Sequence, residues 1–429
     1  MITRLREKFK TSYILRASLL TVIVRFTGKG FSFLFRFLVI HILGDFIVGV
    51  YSLSKDLLEG VYNFAILGLN VYFMRFMATR HTQEKRQRYY SYIISILLTV
   101  GITLTFFFQL SAPFIARVIL HKPEIASPIR IIMLSIIPWV FLHVYIDALR
   151  GGSDVVIAGL FDTSLIPILN ILLLLLFYKL NLTHYIGIYN IISVISVWIT
   201  TYLALLYFQK KFNLNVRFSL NKKNKPNDLI SFAGKVYIIN VINSIATIIY
   251  TLIKGRFISL ITLGILATNQ RLLTILAIPS NAVYNTIVAP LVKAHEKGQS
   301  YKMKKLRIKA ILLTIALMIP IAIAMLLFKN IILAVLGKNY IKYGYIFIWQ
   351  MMISFIGIFL IPFEITLNMA KKQNALILYY IIVKLILRTI VALILIPMFN
   401  VMGVILTDII ILIISVITVI ILVELKYNI

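Results

Sequence analysis

Three cations stand in the first apolar stretch of this 429-residue chain, Arg25, Lys29 and Arg36, with no carboxylate between residues 18 and 42. Spaced by four and then seven residues, they fall within about 40° of one another on a helix turning about 100° per residue. Such a stripe suits an anion, because a guanidinium fork can hold a phosphate with two bonds and a lysine acts as a point charge. In the second stretch Lys55 and Glu59 share a side, with Asn70 nearby; in the seventh Asn243 and Lys254 share a face, and in the eighth Arg271 and Asn285 do so. Amides suit sugar hydroxyls, so these ten residues outline a positively charged binding cavity. A plainer reading is that Arg25 and Arg36 reach toward opposite membrane interfaces and that Lys55 and Glu59 neutralise each other within one helix.

A second set mixes signs: Asp147 and Asp162 on either side of Gly151-Gly152, and late in the chain Glu364, Lys384, Arg388 and Asp408. Ionisable groups inside a bilayer cost ~2.5–3.5 kcal/mol each on insertion scales, so they are expected to face a bundle interior or a wet cavity. Two readings stay open for this set: structural ion pairs holding each half together, or a proton or sodium relay. Soluble-type chemistry is missing. The chain has no cysteine, no Walker A sequence and no strand-bound GxGxxG, and its six histidines lie far apart. No catalytic residue, metal or cofactor is expected. Asn181-Leu182-Thr183 matches a glycosylation sequon by pattern only.

The elements that must position these groups are membrane helices. Hydrophobic residues make up 61% of the chain, only 14% are charged, and mean hydropathy is +0.96, which excludes a water-soluble domain. Continuous runs such as Val404 to Val423 do not alternate, which excludes an outer-membrane barrel. Twelve spans are expected, at 18–42, 47–74, 89–120, 129–149, 155–178, 185–208, 229–253, 262–291, 308–335, 344–370, 374–396 and 402–424. Cations inside the first apolar stretch mark it as a retained span, not a cleavable signal.

The net charge of +30 is distributed unevenly. Basic clusters fill the N-terminal tail and the second, sixth, eighth and tenth connections, whereas the odd-numbered connections hold scattered cations: Arg117, Lys122, Lys179, Arg256, Lys338 and Lys342. The positive-inside rule then places both termini in the cytoplasm, and the clusters record topology, not nucleic-acid binding. The two halves are related: Gly49 to Leu58 followed by Asn70 matches Gly264 to Leu273 followed by Asn285 at a constant offset of 215. With six spans each, the repeats run parallel about an axis normal to the membrane, so a cavity is expected between two six-helix lobes. The expected lobes are 1–214 and 229–429, joined by a cytoplasmic linker at 215–228.

The stretch Leu43-Gly44, Gly49 to Leu53, Gly68-Leu69 and Arg75-Phe76 resembles the polysaccharide-exporter branch of the multidrug/oligosaccharidyl-lipid/polysaccharide exporter superfamily, the Wzx-type flippases of O-antigen and capsule repeat units. The resemblance implies a MATE-like all-α fold and outward transport, by alternating access, of a polyprenyl-diphosphate-linked oligosaccharide across the inner membrane. It also implies that Arg25, Lys29, Arg36, Lys55 and Arg271 face the diphosphate. Expected partners are that lipid-linked oligosaccharide and membrane lipids, with a monomeric transport unit and an association with polysaccharide polymerase machinery left open. The lipid II flippase of peptidoglycan synthesis has two further spans, and drug exporters of the superfamily use intramembrane carboxylates where the first span here has cations. A multidrug antiporter of the same fold is the rival. A membrane glycan polymerase or ligase is disfavoured by the short odd-numbered connections.

Overall fold

The computed structural model describes residues 2–79, 81–219, 229–280, 283, 290–291, 294, 298–358 and 374–427. Among them every regular element is a helix. Nine are long and apolar enough to cross a membrane, or eleven crossings if each of two bent pairs counts as one. All twelve expected stretches hold helix, the tenth being described over Gly344–Ile358, 15 residues. In seven of the nine, only 11% to 33% of the apolar window is buried, which leaves most of their surface for lipid; Ile188–Phe212 and Leu260–Ser280 are half buried, at 50% and 56%.

The chain divides into two compact units, Met1–Thr251 and Leu252–Ile429. The first holds α1 (Ile2–Leu43), α2 (Asp45–Ala65), α3 (Leu69–Ala78), α4 (Gln83–Phe114), α5 (Ala126–Met133), α6 (Ile136–Gly151), α7 (Val155–Gly159), α8 (Leu165–Lys179) and α9 (Ile188–Phe212). It also takes most of α10 (Leu229–Phe257). The division therefore falls inside a helix. Its cause is packing: a Cβ on Gly60 of α2 would come within 2.5 Å of Ile248, and the rings of Phe64 and Tyr237 lie 5.9 Å apart. Of the expected linker, 220–228 lie outside the described residues.

Two crossings are broken. Helices α2 and α3 meet at 57°, where Leu67 (φ 54°) and Gly68 (φ 69°) both take the left-handed region, a conformation open to glycine but costly for leucine. Helices α5 and α6 meet at 42°, with Pro138 in the first turn of α6, where a missing N–H breaks no bond. Proline also shapes α4. Pro113 cannot donate to the Gln109 carbonyl; that carbonyl accepts from Arg130 Nε at 3.0 Å, and Gln109 Nε2 donates back to the Arg130 carbonyl at 2.8 Å. Past this point the helix widens into a π-turn, Ile115–Ile119.

An aromatic core ties α3, α4, α6 and α9 together. Phe208 lies 6.1 Å from Phe73, 5.4 Å from Tyr90 and 5.3 Å from Tyr145, all within aromatic pairing range. Beside it α3 and α6 touch so closely that a Cβ on Gly151 would sit 2.2 Å from the Met74 carbonyl.

The second unit holds α11 (Leu260–Leu273), α12 (Ser300–Leu327), α13 (Lys329–Leu336), α14 (Lys338–Lys342), α15 (Gly344–Ile358), α16 (Asn374–Phe399) and α17 (Val401–Tyr427). The last two form a tight hairpin turned by Asn400 at φ 50°, and a Cβ on Gly403 would fall 2.1 Å from the Leu395 carbonyl.

Candidate functional site

In the first unit the charged residues gather where α1, α3, α6 and the start of α8 meet. Helix α7 leads into a π-turn, Leu160–Ser164, which carries Asp162. Single π-turns inside helices occur frequently at functional sites. Arg150, in the last turn of α6, spans two carboxylates: one guanidinium nitrogen donates to Asp147 at 2.7 Å and the other to Asp162 at 2.5 Å. The free Asp147 oxygen accepts from Asn70 Nδ2 of α3 at 2.8 Å. A planar fork fits this task because its two ends point at separate acceptors, whereas an ammonium offers one point charge. Asp147 is buried, so its charge requires these partners.

One turn before Asp147, His143 packs its ring 4.9 Å from Tyr62 and 5.4 Å from Trp139. Lys55 Nζ stands 5.9 Å above the Trp139 ring and 3.3 Å from Glu59. The expected pair on α2 thus exists as an i,i+4 ion pair.

Helix α1 meets this group at the turn after Asp162. Ser164 Oγ donates to the Val24 carbonyl at 2.9 Å, and a Cβ on Gly28 would lie 2.6 Å from the Thr163 carbonyl. The contact is made by Val24 and Gly28, the residues that precede Arg25 and Lys29, both of which are exposed. Arg36 differs from them: it is 2% exposed and lies 5.8 Å from the centroid of the Tyr189 ring on α9, which in turn stacks on Tyr51 at 3.6 Å. The three cations keep their common helical face, but α2 and α9 cover that face at the height of Arg36. Periodicity gives a residue's direction, not what stands opposite it.

The remaining residues are more scattered. Asn243 is exposed on α10, where its carbonyl accepts from Thr247 Oγ1 at 2.9 Å. Lys254 and Arg271 belong to the second unit and are half-buried. Of the late network, Arg388 donates to Asp408 at 3.0 Å and Lys384 Nζ lies over the Tyr380 ring at 5.6 Å. Asn285 and Glu364 lie outside the described residues. Sequence reasoning missed Arg150 and the His143–Tyr62–Trp139 cluster. The three-residue step from Asp147 to Arg150 was the visible signal, but Asp162 lies across a loop. Among the described residues no three His, Asp or Glu side chains gather as a metal site.

Solved structures similar to this chain share its fold. An inward-facing multidrug resistance MATE family transporter of the MOP superfamily aligns with TM-score 0.71 and 15% identity, over 95% of this chain and 98% of its own. The lipid II flippase MurJ in an inward closed conformation aligns with TM-score 0.72 and 14% identity, over 94% of this chain and 87% of its own. A MOP superfamily transporter from Pyrococcus furiosus, described as having a binding pocket of reverse polarity, aligns with TM-score 0.59 and 15% identity over 97% and 95%. No curated protein sequence matches. A family model described as polysaccharide biosynthesis protein matches residues 14–291, well over half of the chain. With that match over a helical membrane fold shared with MATE-type transporters, the chain belongs to the polysaccharide biosynthesis protein family.

Proposed function

We propose that this protein is a flippase that moves a polyprenyl-diphosphate-linked oligosaccharide from the cytoplasmic to the outer leaflet of the inner membrane for cell-surface polysaccharide biosynthesis. It works by alternating access as a monomeric unit, with both termini in the cytoplasm, and is not an enzyme. The observation that carries this reading is the pair of exposed cations, Arg25 and Lys29, on α1 of a chain from a polysaccharide biosynthesis family. They offer an anionic head group two charges where a drug/cation exporter would offer carboxylates.

The carboxylates nearest α1 support the same reading. Asp147 and Asp162 are already bridged by Arg150, a cation built into the chain that offsets one of their two charges and occupies an oxygen of each. Arg36 supports the helix from within, packed on Tyr189, and is not assigned to the substrate.

The test uses cells lacking the gene, in which the lipid-linked oligosaccharide should accumulate on the cytoplasmic leaflet. Wild-type protein should clear it. The Arg25→Ala, Lys29→Ala double variant should reach the membrane at near-normal abundance and leave the intermediate in place. Normal surface polysaccharide from that variant would sink the cationic-site reading, and absence of any lipid-linked intermediate in the deletion would sink the flippase reading itself.

A further inference from the structure

One end of the second unit holds a cavity of about 420 Å3, within the ~300–1,000 Å3 range of small-ligand sites. Three separate connections build it: the turn from α10 into α11, the segment leading into α15, and the α16–α17 hairpin. Its walls combine the rings of Tyr343, Tyr345 and Phe399 with the polar side chains of Asn400, Ser259 and Thr262. The Tyr343 and Tyr345 rings stand 6.3 Å apart at 52°, so they do not fill each other's faces. Tyr345 and Phe399 are 42% and 48% exposed.

Aromatic residues near a membrane surface ordinarily form a belt against lipid head groups. A belt requires neither a concave arrangement nor convergent amide and hydroxyl groups. Aromatic faces beside hydrogen-bonding side chains are what a pyranose needs, since its C–H face is apolar and its edge is ringed with hydroxyls.

The cations beside the cavity narrow the ligand further. Arg256 lies 5.7 Å from the centroid of the Phe257 ring, and Lys342 Nζ lies 5.8 Å from that of Tyr343; both rings line the cavity. These two belong to the odd-numbered connections, where cations are few. Topology alone disfavours cations at this end, opposite the end where α12 begins with Lys302, Lys304 and Lys305.

We infer that this cavity binds a pyranose unit of an acidic saccharide, its ring against Tyr343 and Tyr345, its hydroxyls toward Asn400, and its carboxylate toward Arg256 and Lys342. The inference rests on the flippase reading for the side from which the sugar comes: the site lies on the face to which the glycan is delivered and would hold it there before the next step of assembly.

Lipid-free sugars test it directly. The full chain is placed in phosphatidylcholine nanodiscs, which offer no anionic head group to compete, and saturation-transfer NMR is recorded with galacturonic acid and with galactose. Ring-proton transfer should be seen for both and be stronger for the acid. The Tyr345→Ala, Phe399→Ala variant, altered only at exposed positions, should lose about fivefold of that transfer. Arg256→Gln, Lys342→Gln should abolish the preference for the acid while galactose still binds. No transfer from either sugar to the wild type, or transfer unchanged in the aromatic variant, overturns the proposal. Because binding is read without a lipid carrier, either result leaves the flipping test untouched, and loss of flipping in the α1 variant leaves the sugar site standing.

Discussion

Arg150 shows how a charge can be structural inside a membrane. Its guanidinium is held by two carboxylates, and removing it would leave Asp147 and Asp162 close together with nothing between them. Deleting one partner of a fully buried network costs roughly 3–5 kcal/mol, and this one, with Arg150 29% and Asp162 25% exposed, should lose less. Arg150→Ala is therefore expected to lower both melting temperature in detergent and membrane abundance. Adding Asp147→Asn and Asp162→Asn to that variant should recover most of the loss, because the stranded charges go with their partner. A failure to recover would mean that Arg150 acts on something besides these two groups. Arg36 invites a parallel comparison with the exposed cations of α1. Arg36→Ala should reduce abundance as measured by quantitative blotting, whereas Arg25→Ala should leave it unchanged, since one side chain is packed on Tyr189 and the other is exposed.

Among the elements, α4 carries a feature that lies outside its apolar core. Gln83, Gln87, Ser91 and Ser95 recur every four residues and form a polar ladder along one side. The extended segment after α9 binds to it: Gln83 Nε2 donates to the carbonyls of Phe212 and Asn213 at 2.8 and 2.7 Å. Gln87 exchanges two bonds with the Asn215 backbone, at 2.6 and 2.8 Å, and the Ser219 amide donates to Ser95 Oγ at 2.8 Å. Replacing Gln87 with Ala should speed hydrogen exchange at the Asn215 amide by about tenfold, the loss of one hydrogen bond of ordinary strength. Unchanged exchange would show that the segment is held by other contacts. The ladder was in the sequence but had no meaning until its partner was known. By contrast, the crossings were legible from the start, because a bilayer forces long apolar runs wherever a helix passes through it. The breaks at Gly68 and near Pro138 were not, since each falls inside an apolar run long enough to read as one span, 47–74 and 129–149. The left-handed Leu67 and the π-turn at Asp162 were not readable, since both are conformations that packing imposes on residues with no preference for them. The burial of Arg36 was hidden for the same reason: it depends on α9, far away in sequence.

For the molecule as a whole, the excess of positive charge predicts orientation. Reporter fusions at Ile429 and Lys223 should both report the cytoplasm, and opposite readings would make the number of crossings odd in one half. The sequence has no Walker A motif, so the proposed outward flipping calls for another source of energy. A potential that is negative inside contributes ~2.3 kcal/mol per charge per 100 mV to an anion leaving the cell, a bias of roughly 50-fold. Because Arg150 already bridges the carboxylates nearest α1 and offsets one of their two charges, the proposed flipping is expected to respond to this potential without a pH or sodium gradient. In proteoliposomes, a potassium diffusion potential should drive the lipid-linked substrate toward the positive side. A rate blind to potential and dependent on a cation gradient would defeat that expectation and return Asp147, Asp162, Glu364 and Asp408 to the candidates for coupling.

The ladder on α4 also fixes where water ends. The helical run Gln83–Ile119 is 37 residues, about 55 Å of helix against a hydrocarbon core of ~30 Å, so much of it must stand outside. An extended backbone cannot lie in hydrocarbon with its amides open to lipid. The extended segment that reaches Ser95 through the Ser219 amide therefore lies outside the hydrocarbon core, so α4 enters that core at or beyond Ser95. Below it, Ile96 to Ile119 is 24 residues, about 36 Å, which a modest tilt fits to the bilayer. The connector between the halves thus sets the draught at which the first unit floats.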